Sequence, residues 1–244
     1  MIRHLTRLVA CLMAALGITL TASLPVVADI KDADRAALEE MIGDYIRANP
    51  DVVRDALVSL ADREAAARRD QAMLILKNDD GDPFLGNPDA SFVIYEFSDY
   101  NCGYCKRVFT PLQDLIASDG DIKLVIKEFP ILSESSVLAA QAGIAAQAQG
   151  VFEEFHIAMM TARGAISMDS ILAAAQSAGA DLDRLQADMN SPAVEAIISR
   201  TRAAAQQLEI SGTPGLVIGR QVIPGAISLD QMQEIIASER AANS

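Results

Sequence analysis

Hydrophobic positions in the first part of the chain recur at helical spacing. Leu38, Met41, Ile42, Tyr45 and Ile46 keep that spacing from Asp32 to about Ala48, and Asn49-Pro50 ends this predicted helix and caps the next. The second helix is predicted from Pro50 to about Leu76, roughly 40 Å long at about 1.5 Å per residue. Val52, Val53, Ala56, Leu57 and Leu60 share one side of its first half, whereas Ala61 to Gln71 is mostly Ala, Arg, Asp and Glu, which favours helix but buries little. Such a helix is a partly exposed stalk, packs against another subunit or lies along its own domain, and the apolar pattern is too short to identify a coiled coil.

Lys77 to Ala90 is rich in Gly, Pro, Asn and Asp, a turn-filled connection that reads as the domain boundary. Beyond it, Ser91 to Phe97 reads as a buried strand and the stretch from Cys102 to Ile116 as a helix. Ile122 to Phe129 alternates apolar and polar residues and reads as a second strand. Ser135 to Leu208 is helical and alanine-rich, interrupted near Gly150, Gly164, Gly179 and Ser191-Pro192. Gly215 to Ile218 and Gln221 to Ile223 form a predicted hairpin across Gly219-Arg220, followed by a helix from Ser228 to Glu239 capped by Ser228. Strand, helix, strand, helical insertion, hairpin and helix is the order of an α/β, thioredoxin-type unit with an inserted helical subdomain.

The N-terminus carries a different signal. Arg3 and Arg7 are followed by a mainly apolar Leu8 to Leu20 and then Val26-Val27-Ala28, the order of an export signal with cleavage expected after Ala28. An uncleaved anchor is the alternative, but Gly17 and polar Thr residues break the run short of the ~20 residues a span needs. The expected division is therefore 1–28 signal peptide, 29–78 N-terminal helical extension and 79–244 catalytic domain, with the insertion at about 133–210.

Lys and Arg number 20 against 33 Asp and Glu, for a formal charge of -13 in 244 residues. Loss of residues 1–28 removes Arg3 and Arg7 and no acidic residue, so the remainder is still more acidic. That balance argues against nucleic acid or anionic lipid as a partner. With 51% hydrophobic and 22% charged residues, the composition is that of a globular protein with a substantial core.

After removal of the signal, with Cys11 and His4, the chain keeps Cys102, Cys105 and a single histidine, His156. A Cys-x-x-Cys pair serves zinc, iron–sulfur, haem or redox chemistry, and each needs different company. There is no second pair and too little His for a four-ligand zinc site or a four-cysteine cluster in one chain. Haem attachment needs His directly after the second Cys, where this chain has Lys106. A structural disulfide is the remaining alternative to a redox dithiol, but closing so short a loop restricts the unfolded chain little. No metal or bound cofactor is expected, because the two sulfurs carry the electrons themselves.

The run Glu96-Phe97-Ser98-Asp99-Tyr100-Asn101-Cys102-Gly103-Tyr104-Cys105-Lys106, with Ser211-Gly212-Thr213-Pro214 downstream, resembles the active site of the DsbA family of exported thiol-disulfide oxidoreductases, over roughly residues 83 to 240. A cysteine at a helix N-terminus meets unpaired N–H groups and the positive end of the dipole, both favouring thiolate. Cys102 is therefore the expected nucleophile and Cys105, one turn on, the resolving thiol. Gly103 and Tyr104 should tune the nucleophile, with Lys106 adding positive charge and Asp99 opposing it. The resemblance implies that Glu96 lies beneath the pair and accepts a proton from the resolving cysteine, that Pro214 is a cis proline beside the cysteines, and that Thr213 presents backbone groups to a substrate peptide. Lys127 could pair with Glu96 or be an exposed surface lysine. Met159, Met160 and Met168 could line an adaptable peptide surface, with core packing the alternative for most of them and for His156.

The Cys-Gly-Tyr-Cys sequence with Thr before Pro214 is similar to bacterial disulfide isomerases. The helical extension resembles the oligomerisation segments of isomerases and of suppressor-of-copper-sensitivity proteins. The expected function is a periplasmic disulfide isomerase, a possible homo-oligomer through residues 29–78, acting on exported client proteins and supplied by a membrane redox partner. A monomeric dithiol oxidase and a non-enzymatic chaperone or copper(I)-binding protein are the alternatives.

Overall fold

The computed structural model describes residues 32–242; the expected signal peptide and its cleavage site lie outside the described residues. The elements follow in the order α1 (Asp32–Ala48), α2 (Pro50–Lys77), β1 (Phe84–Gly86), β2 (Phe92–Ser98), α3 (Gly103–Ser118), β3 (Ile122–Glu128), α4 (Glu134–Gln147), α5 (Phe152–Thr161), α6 (Met168–Ser177), α7 (Leu182–Met189), α8 (Pro192–Gln207), β4 (Gly215–Ile218), β5 (Gln221–Pro224) and α9 (Leu229–Ala242). Two compact units divide between Val58 and Ser59, inside α2. The sequence expectation had placed this division after α2. The reason for the difference is burial: Ala72 and Leu76 of α2 pack with Tyr95, Phe97, Val125 and Val217 of the sheet. Truncating a core leucine such as Leu76 to Ala costs about 2–5 kcal/mol.

In the first unit the apolar side chains of α1 and early α2, among them Met41, Ile42, Tyr45 and Val52, are exposed. Asn49 joins the helices, its backbone N–H donating to the carbonyl of Tyr45 at 2.9 Å while its own carbonyl accepts from Val52.

The second unit is built on a five-stranded sheet of order β1-β3-β2-β4-β5. Strands β2 and β3 are parallel, joined through α3, and the other neighbours are antiparallel. A parallel pair needs a crossover of this kind, whereas β4 and β5 close across the two-residue turn Gly219-Arg220. Gly219 has φ 60°, and a Cβ there would run into the Glu239 side chain. The short β1 lies inside the turn-rich stretch and was not foreseen.

Alternation along the strands sorts the two faces. Ile94, Leu124, Ile126, Leu216 and Ile218 pack against Val108, Leu112 and Leu115 of α3 and Met232 and Ile236 of α9. The opposite face meets α2 and Ala204, Ala205 and Leu208 around α8. The insertion α4–α7 has its own core, which includes Tyr100, Cys102, Cys105 and Phe109. This is the thioredoxin-like fold with an inserted helical subdomain, and the two cysteines stand where the insertion joins the sheet unit.

Candidate active site

Cys102 is the N-cap of α3, with φ −80° and ψ 114°. Its backbone N–H donates to the Asp99 carbonyl at 2.9 Å, closing a turn that brings the chain from the end of β2 into the helix. The Sγ accepts the Cys105 N–H at 3.4 Å, the place where N-cap side chains commonly satisfy an orphan donor. The Cys102 thiol donates to the Thr213 carbonyl at 3.2 Å, and the Thr213–Pro214 peptide bond is cis. Cys102 is 6% exposed and Cys105 0%; both are free thiols.

Glu96, the fifth residue of β2, is buried between Ile126 of β3 and Leu216 of β4 in register. Burial pushes its carboxyl up to about 7, the nearby Ser98 hydroxyl offsetting part of the rise. Burial also raises the Cys105 thiol, and the charge of Glu96 adds to that. A carboxyl that titrates near neutrality close to a thiol that resists ionisation is the pairing that proton transfer between them requires.

The family model of the DSBA-like thioredoxin domain matches residues 93–237. The chain belongs to this family. A second model, the copper resistance protein ScsC N-terminal domain, matches residues 34–67. A thioredoxin-like oxidoreductase from Silicibacter pomeroyi DSS-3 is 39% identical, with 70% of this chain and 97% of that one covered and a TM-score of 0.66. Proteus mirabilis ScsC in a transitional conformation is 26% identical, with 86% and 98% covered and a TM-score of 0.66. The Na(+)/H(+) antiporter NhaA of Herminiimonas arsenicoxydans is 27% identical over 160 residues, 65% of this chain but 26% of the antiporter. The chain thus spans about a quarter of the length of the curated relatives it matches. Among the described residues no helix is long and apolar enough to cross a membrane.

Within the DSBA-like thioredoxin domain the remaining site residues sort as follows. Gly103 leaves open space beside Cys102, with nothing within 4 Å of where a Cβ would stand. Tyr104 is 58% exposed, with the Arg107 guanidinium 3.8 Å from its ring centre. Lys106 is turned away to the Ala162 carbonyl at 2.9 Å. Asp99 is buried, and its carboxylate accepts N–H groups from Asn101, Ile131 and Leu132 at 2.8, 2.9 and 3.1 Å. It therefore anchors a loop, a role the sequence analysis did not give it, although an Asp accepting from the N–H two residues on is a familiar turn signal.

Lys127 does not pair with Glu96. It faces Phe97 in register, one residue out of phase with Glu96, and so lies on the opposite side of the sheet. There it is fully buried and donates to Asp82 at 2.6 Å. Met159 and Met160 are core residues, and Met168 alone of the three is exposed. His156 is buried with its Nδ1 3.0 Å from the Tyr100 hydroxyl, and burial lowers it to about 3. Glu128, at the end of β3, went unnoticed in the sequence; it is buried on the Glu96 side of the sheet, and burial holds its carboxyl well above the usual range.

Proposed function

We propose that this protein is a thiol-disulfide oxidoreductase acting as an oligomeric, periplasmic disulfide isomerase. The observation that carries the exchange chemistry is the position of the Cys102 sulfur, capping α3 under the Cys105 N–H and against the Thr213 carbonyl. The isomerase reading is supported by the Cys-Gly-Tyr-Cys sequence with Thr213 before Pro214, and by the exposed apolar side chains of residues 38–58. These lie within the stretch that matches the ScsC N-terminal domain and give other copies of the chain an apolar surface to bury.

Exchange proceeds in two displacements. The Cys102 thiolate attacks one sulfur of a client disulfide, forming the Cys102–client disulfide while the other client sulfur leaves and takes up a proton. That freed client thiol can attack elsewhere in the client, and a later client thiolate displaces Cys102, so bonds are rearranged without net oxidation. When rearrangement stalls, the Cys105 thiol gives its proton to the Glu96 carboxylate and attacks Cys102 Sγ. The Cys102–Cys105 bond forms and the client sulfur leaves as thiolate. The client is then reduced by two electrons and the enzyme oxidised by two, and a membrane redox partner returns the dithiol. Thr213 offers backbone groups to the client segment beside Cys102. Assembly through residues 29–78 holds several exchange sites near one misfolded client, raising effective concentration.

The test compares recovery of activity from a scrambled-disulfide protein by the full chain and by a chain beginning at Ser59. Rapid recovery that falls on truncation supports the reading. Negligible recovery, with rapid oxidation of reduced peptide unaffected by truncation, would make the protein a monomeric dithiol oxidase.

A further inference from the structure

Ser98 is the last residue of β2, two places after Glu96. Side chains two apart on a strand share a face, so Ser98 lies on the side of the sheet that carries Ile94 and Glu96 and meets α3, the helix of Cys105. It is 1% exposed, and Cys105 is fully buried. The Ser98 backbone is fixed in place, its carbonyl accepting the Phe129 N–H at 2.9 Å. Its hydroxyl is not fixed: among the described residues Ser98 Oγ and Glu96 Oε1 are both buried without a hydrogen-bond partner. The hydroxyl nevertheless stands near the Glu96 carboxyl and the Cys105 thiol, and it favours the charged form of each. A buried, uncommitted hydroxyl is costly, and packing does not account for it, since alanine in its place would leave no orphan.

We propose that Ser98 relays the proton from Cys105 to Glu96 in the release step. As Cys105 attacks, its S–H proton passes to Ser98 Oγ while the Ser98 O–H proton passes to the Glu96 carboxylate. The Cys105 sulfur bonds to Cys102 Sγ, the Cys102–client bond breaks, and the client sulfur leaves with the electron pair as thiolate. Ser98 ends the step as it began, carrying one hydroxyl proton. Hydrogen bonds of this kind are often long until the reacting complex forms, which fits a hydroxyl left uncommitted in the free dithiol. The other ionisable groups that face Glu96 are Tyr100 and Glu128, and burial pushes both up, so they stay protonated while Glu96 titrates. The Asp99 backbone also faces the Cys105 thiol, but a backbone amide has no proton to exchange in this step. The proposal rests on the exchange reading and assigns a further residue to its second displacement.

The test uses the reduced full chain and a peptide whose single cysteine is capped as a disulfide with a coloured aryl thiol. The colour reports attack by Cys102. Decay of the Cys102–peptide species, followed by intact mass after acid quench, reports release by Cys105. In Ser98→Ala the attack rate should match the wild type, while the release rate above about pH 7, where Glu96 is ionised, should fall roughly tenfold. Ser98→Thr keeps the hydroxyl and should recover most of the loss. In a Glu96→Gln background Ser98→Ala should add little, because both residues serve one proton path. An unchanged release rate in Ser98→Ala overturns the relay. So does a Ser98→Ala profile that reaches the wild-type plateau at a shifted pH, since Ser98 would then only tune Glu96. Equal slowing of attack and release, or a full further loss in the Glu96→Gln background, also overturns it. No colour from the wild-type chain would instead remove the exchange reading and the relay with it.

Discussion

Lys127 Nζ and Asp82 Oδ2 meet at 2.6 Å with neither side chain exposed, and Arg200 reaches the same carboxylate oxygen at 3.0 Å. Burial works against both charges, raising Asp82 and lowering Lys127, and each partner opposes that effect on the other. The pair joins the loop before β1 to β3 on the face away from the cysteines. Lys127→Met should destabilise the protein by about 3 kcal/mol because it leaves the Asp82 charge short of its main partner. A lower urea midpoint at unchanged slope checks this. The double variant with Asp82→Asn should recover part of the loss.

Glu96 gives a pH-dependent signature. Its folded-state value of about 7 lies above the ordinary 4.5, so the unfolded chain releases this proton first as pH rises. The associated stability is complete below about 4.5 and lost as pH rises to about 7. Glu96→Gln should therefore gain on the wild type across that window by about 3 kcal/mol, and the gain should level off above it. Chemical denaturation of both proteins from pH 4 to 8 measures the difference; a constant offset across the window would contradict a buried, raised Glu96.

His156 works in the opposite direction. Burial among Tyr100, Phe109 and Phe152 lowers it from 6.5 to about 3. Below about 6.5 the unfolded chain takes up a proton that the folded chain refuses, so stability falls with pH from 6.5 toward 3. About 5 kcal/mol is at stake over that range. His156→Phe should flatten this part of the pH–stability curve, whatever it does to stability at pH 7 through loss of the Tyr100 bond.

Gly143 on α4 is required by its neighbours. A Cβ there would stand 2.7 Å from Glu128 Oε1 and 3.0 Å from the Tyr100 hydroxyl. Gly143→Ala should thus cost about 1–3 kcal/mol through overpacking, despite the better helix propensity of alanine. Thermal unfolding of the variant tests the balance, and an increase in melting temperature would contradict it.

The cysteine pair, its helix and the Thr213-Pro214 turn were legible because their meaning lies in residue types at short, fixed spacing. The order strand, helix, strand, helical insertion, hairpin and helix supplied the fold. What was not legible depended on pairing across the sheet. Lys127 and Glu96 are both charged residues on adjacent strands, and only the register, with Lys127 opposite Phe97, shows that they occupy different faces. The three residues of β1 are too few for a period and lie among Asp, Gly, Asn and Pro. The unit boundary inside α2 follows from burial of Ala72 and Leu76, which belong to the continuous apolar run Ala72 to Leu76, where every side is apolar and no period tells which residues face the sheet. Glu128 had no signal at all: a charged residue at the end of a strand is ordinarily exposed.

The central claim is that Cys102 attacks and Cys105 releases. The most direct measurement is intact mass after mixing the full chain, as Cys102→Ser and as Cys105→Ser, with a peptide disulfide. Cys105→Ser should accumulate a peptide-linked species attached at Cys102, because the attack proceeds and the release does not, whereas Cys102→Ser should stay unmodified on the same timescale. An adduct on Cys105 in the Cys102→Ser protein, formed as fast as the one on Cys102, would contradict the assignment of the two sulfurs.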